Sequence, residues 1–81
     1  MKIYDYNGRK NLCGSRVREA RTRLHMTQGD LAVQLQLSGI VIERDCISRI
    51  EIGTRFVADY ELRALASILK VSVPWLLEME D

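Results

Sequence analysis

Apolar positions fall into short helical stripes separated by capping and turn residues. Cys13, Val17, Ala20 and Leu24 are spaced four, three and four apart, which predicts an amphipathic first helix reaching Leu24. Thr27, with Asp30 three residues on, offers the N-cap of a second helix whose inner face is Leu31, Ala32 and Leu35. Its turn from the first helix centres on His25 and Met26. Ser38 and Gly39 end it, and the β-branched run Ile40, Val41, Ile42 suits an extended connection better than a helix. A third helix is expected from near Arg44 to just before Gly53, with Cys46, Ile47 and Ile50 inward. Asp59 is the expected cap of a fourth helix carrying Leu62, Leu65, Ala66 and Leu69. Ser72 and Pro74 open a short last helix, with Val73, Leu76 and Leu77 inward and Trp75 unassigned. Residues 1–11, with Asn7, Gly8 and Asn11 among charges, read as a flexible basic arm, leaving 12–81 as one all-α, five-helix domain.

Two charges interrupt these stripes. Arg21 lies on the inner face of the first helix and Glu51 on that of the third, and their signs are opposite. An unpartnered buried charge costs several kcal/mol, so the economical reading is a structural ion pair between them, most simply a bidentate one. The alternative is that both side chains reach solvent independently. Ser48 and Arg49 point away from the apolar stripe of the third helix, and its hydrophilic outer face therefore needs its own explanation.

Composition narrows the function classes. A chain of 81 residues makes one domain with a modest core, better suited to a binding surface than to an enzyme cleft. No stretch approaches the roughly 18 apolar residues that would span a bilayer, and a cytoplasmic protein is expected. The two cysteines, Cys13 and Cys46, sit in apolar helical patterns and read as core residues. The lone His25 occupies a turn, and no nucleophile and base, carboxylate pair or clustered metal ligands accompany it, so neither catalysis nor a cofactor is expected. Net charge is +1, but residues 1–55 carry ten Lys/Arg against six Asp/Glu, and residues 56–81 two against five. Such a layout permits one positive face toward an anionic partner.

The order Arg21, Thr27-Gln28-x-x-Leu31-Ala32, Ile47-Ser48-Arg49-Ile50-Glu51-x-Gly53 and the closing LASILKVSVPWLLE resembles the Cro and phage-repressor type of helix-turn-helix domain, the XRE family, over about residues 13 to 78. The resemblance implies a lambda-repressor-like fold with the helix-turn-helix at helices 2 and 3, and a sequence-specific regulator that binds double-stranded DNA as a homodimer. It implies a recognition helix at about 44–52 in the major groove. Carried over by position, Glu43, Arg44, Asp45, Ser48 and Arg49 fall where base edges are read, and their chemistry suits guanine, cytosine or either. Thr27 and Gln28 at the start of the second helix, and Arg55 beyond Gly53, fall where phosphates are met. The family's paired Arg and Glu match Arg21 and Glu51.

The chain departs from the pattern in three places. The connection SGIVIERDC is longer than the usual tight turn, His25 replaces the glycine after the first helix, and Ile52 replaces the asparagine before Gly53. Acidic Glu43 and Asp45 on a reading face would repel misplaced phosphates. The polar face also fits a solvated surface with Asp45 paired to Arg49 at i,i+4. The alternative function is a protein-interaction module of the same fold, an antitoxin or accessory regulator. A dimer surface is expected around Trp75, Leu77 and Met79.

Overall fold

Side-chain hydrogen bonds at the first turn mark where three of the helices begin. The computed structural model describes residues 5–81, in which the chain forms α1 (Gly14–Arg23), α2 (Gln28–Leu37), α3 (Arg44–Ile52), α4 (Asp59–Leu69) and α5 (Val73–Leu76). Residues 1–4, part of the expected arm, lie outside the described residues. The capping box at α2 is complete: Asp30 N donates to Thr27 Oγ1 at 3.0 Å, and Thr27 N donates to Asp30 Oδ2 at 2.9 Å. Ser72 Oγ accepts from Trp75 N at 3.0 Å and starts α5.

α4 starts differently from the sequence expectation. Ala58, not Asp59, is its N-cap, and the acceptor comes from within the first turn, where Ala58 N donates to Glu61 Oε1 at 3.0 Å. A carboxylate three residues into a helix can reach back to the cap N–H, so residue 58 needs no capping side chain of its own.

The turns take the conformations their residues tolerate. His25 closes α1 with φ of 59°, the left-handed region that glycine enters without strain and that histidine tolerates better than most residues. Gly53 ends α3 with φ of 89°, and Thr54 N then donates to Arg49 O at 2.9 Å. Between α2 and α3 the β-branched run alternates as an extended strand would, with Ile42 buried and Val41 81% exposed.

α3 packs against both α1 and α2, α4 lies across α2 and α1, and α5 closes the structure against α1 and α4. Val17, Leu31, Leu35, Ile47, Ile50, Leu65 and Leu76 are fully buried where these elements meet. Burial of each such side chain contributes about 1.5–3 kcal/mol, which holds α3 with its inner stripe in the core and its other face outward. The approach of α1 to α3 is close enough that a Cβ at Gly14 would lie 2.1 Å from Ile50 O. Only glycine fits there.

Cys13 is buried and its thiol is pushed up to about 11, mainly by desolvation, as befits a packing residue. Cys46 is only half-buried.

Candidate nucleic-acid interface

The inner side of α3 carries a polar knot. Arg21 Nε donates to Glu51 Oε2 at 2.6 Å and Arg21 Nη2 to Glu51 Oε1 at 3.1 Å, with only 11% and 3% of the two side chains exposed. The same guanidinium donates through Nη1 to Met26 O at 2.7 Å. Its hydrogen bonding to the Glu51 carboxylate is the main reason that Arg21 holds its proton above the usual arginine range. Gln28 Nε2 adds a third donor to the carboxylate, reaching Glu51 Oε1 at 3.0 Å. α1, the α1–α2 turn, the start of α2 and α3 are thereby fixed to one another.

Outward, Arg44, Asp45, Ser48 and Arg49 share one side of α3, followed by exposed Ile52. Arg44, Asp45 and Arg49 are exposed and Ser48 is half-buried. Glu43 is exposed beside them, as the N-cap residue rather than as a member of the helix. Among the described residues the ion pairs are Arg21–Glu51, Arg23–Glu19 and Arg55–Glu61. Neither Arg44 nor Arg49 takes part in one, and the Asp45–Arg49 pair weighed from the sequence is not formed.

Beside this face lies the start of α2. Thr27, Gln28 and Gly29 line an open cleft of about 550 Å³ with His25 and Arg44. The first intrahelical bond of α2 runs from Leu31 N to Thr27 O, so the Gln28 and Gly29 amides precede it and point out of the helix end. The Gln28 side chain, expected on a phosphate, turns inward to Glu51 instead. What α2 presents at this cleft is therefore backbone N–H groups and the positive end of its dipole.

Arg55 is also engaged within the domain. Its Nη1 and Nη2 donate to Glu61 Oε1 and Oε2 at 3.0 and 3.1 Å, and Nη1 also donates to Phe56 O at 2.8 Å. Glu61 is 6% exposed, and the Arg55 guanidinium holds its carboxyl below the usual range against the opposing effect of burial. This second inward charge pair was not read from the sequence, although the signal was present. Glu61, Leu65 and Leu69 are spaced by four, which puts Glu61 on the buried stripe of α4 just as Glu51 lies on that of α3.

From opposite ends of α1, the guanidiniums of Arg16 and Arg23 lie 4.6 and 5.4 Å from the Trp75 ring centroid. Trp75 and Leu77 are half-buried and Met79 is exposed.

A buried clasp, a short rod with an open polar face and a neighbouring helix start aimed the same way define a phage-repressor-like helix-turn-helix domain. No protein-family profile and no curated protein sequence matches the chain. Among solved structures it is similar to the P22 c2 repressor, crystallised in complex with the synthetic operator 9T in the presence of Tl+. The two are 27% identical with a TM-score of 0.68, over 86% of this chain and 98% of that one.

Proposed function

We propose that the chain is a sequence-specific, DNA-binding transcriptional regulator of the XRE/Cro type, with α3 as its recognition helix in the major groove. The observation that carries the reading is the contrast among its arginines. Arg21 and Arg55 are spent on internal carboxylates, whereas Arg44 and Arg49 stand exposed and without an ion pair on the outward side of α3. Arg44 and Arg49 suit the O6 and N7 acceptors of guanine, Glu43 and Asp45 the N4 donor of cytosine, and Ser48 either. The Gln28 and Gly29 amides and the Thr27 hydroxyl at the start of α2 meet a phosphate. Arg55, with its charge already matched by Glu61, adds a weaker phosphate contact. The similarity to a repressor solved on operator DNA supports the same reading.

One domain of this size covers a single half-site, so the regulator works as a homodimer on a two-fold operator, in the cytoplasm. No helix among the described residues is long and apolar enough to cross a membrane.

The second reading, a protein-interaction module of the same fold, is favoured by one patch. Val33, Leu37 and Val41 are all exposed, and Val41 is close in sequence to acidic Glu43 and Asp45.

Selection of duplexes from a random pool at two salt concentrations separates the readings. A DNA-binding regulator enriches one family of sequences, and its log K falls with log salt by about 0.9 per phosphate neutralised. Absence of any binding to duplex at low salt favours the interaction module.

A further inference from the structure

Asn11 belongs to the segment that reads as an arm, yet it makes three polar contacts at the point where α1, α3 and the α3–α4 loop converge. Its Oδ1 accepts from Gly14 N at 2.8 Å, and its Nδ2 donates to Ile50 O at 3.1 Å and to Arg55 O at 2.8 Å. The acceptor caps the start of α1, and both amide hydrogens are used on main-chain carbonyls 39 and 44 residues away. Alongside, Lys10 N donates to Gly53 O at 2.7 Å, and the aliphatic part of Arg9 lies against Gly53. The absent Cβ of Gly14 is what allows Asn11 and the Ile50 carbonyl to meet at this spot.

We infer that Asn11 is a positioning residue for the recognition helix, holding the main chain of α3 in the rotation and axial setting that base reading requires. This rests on the DNA-binding reading above and extends it to a residue far from the reading face. The Arg21–Glu51 pair grips α3 through a long side chain, whose torsions leave the helix some freedom to roll. A hydrogen bond to a helix carbonyl holds the main chain itself, about 2 Å off the axis, with no torsions of an α3 side chain in between, and so resists roll directly. With side-chain ends about 6 Å from that axis, a roll of about 20° carries them through about 2 Å. A displacement of that size breaks the geometry of a bidentate arginine–guanine contact, while contacts to phosphates, which supply sequence-independent affinity, tolerate it better.

The test compares the wild-type protein with Asn11→Asp, Asn11→Ser and a control, Leu69→Val, which loosens the α4 core without touching α3's polar ties. Asn11→Asp keeps an acceptor for Gly14 N but loses both donors and sets a carboxylate against two carbonyl oxygens. Asn11→Ser is the second variant should the first fail to fold. For each protein the ratio of affinities for the selected duplex and a scrambled duplex of equal length is measured, at a temperature where all are folded by circular dichroism.

The expected result is a fall of about tenfold in that ratio for the Asn11 variants, the scale of one lost base-pair discrimination, with scrambled-duplex affinity unchanged. Leu69→Val should keep the wild-type ratio. Asn11 variants that keep the wild-type ratio, or a control that loses it equally, would overturn the positioning role while leaving the DNA reading intact. A wild-type protein that prefers no duplex would overturn both.

Discussion

At the scale of single residues, the decisive question is what each buried charge touches. Arg21→Met strands the Glu51 carboxylate in the core, and a loss of about 3–5 kcal/mol in urea-unfolding free energy is expected. Adding Glu51→Leu to that variant should recover much of the loss, because no unpaired charge then remains, though the Gln28 amide is left without its acceptor. A double variant as unstable as Arg21→Met would show that the knot matters for more than charge balance. Glu61 gives a prediction in pH. Its folded carboxyl lies below the ordinary 4.5, chiefly through Arg55, so its contribution is fully present above that value and is lost as pH falls through the lowered one. Acid titration of stability should therefore flatten in this window for Glu61→Gln relative to the wild type. The inward charges of α1 and α3 were legible because each breaks an apolar stripe. Asn11 was not, since its partners are main-chain carbonyls distant in sequence and a polar residue near a chain end carries no periodicity.

Among the elements, the helices that announce themselves are those whose cap is the residue at the boundary. Thr27 with Asp30 and Ser72 before Pro74 placed α2 and α5, and Gly53 placed the end of α3. Thr27→Ala should cost about 0.5–2 kcal/mol by thermal or urea unfolding, in line with a lost N-cap. The start of α4 was misplaced by one residue because Asp59 looks like a cap, whereas the acceptor is the Glu61 side chain at the third helical position, reaching back to Ala58 N. The long α2–α3 connection was legible as extended chain, and the structure adds its consequence: Ile42 anchors it in the core immediately before α3. Ile42→Ala should destabilise the domain by about 2–5 kcal/mol, the range for a large aliphatic truncated in a packed site. A loss below about 1 kcal/mol would mean that the connection does not anchor α3. The exposed polar side of α3 could be predicted as a set of residues, but the inward turn of Gln28 could not, because it depends on a carboxylate supplied by another helix; for Arg55 the sequence marked only its partner, Glu61, as an inward charge.

The whole molecule divides its charges between two tasks. The carboxylates inside the domain consume the arginines that hold it together, and α3 turns its remaining guanidiniums outward at the side where α2 offers free amides. Near-neutral net charge is then no obstacle to an anionic partner, because the charge that matters is local. The most direct measurement is duplex selection carried out in parallel with the wild type and with Arg49→Ala. The variant is expected to lose preference at one position of each half-site, with discrimination there reduced by about 1–3 kcal/mol and the remaining positions and the salt slope nearly unchanged. A variant that weakens binding equally to every sequence, or that selects the wild-type site unaltered, would contradict the placement of α3 against base edges.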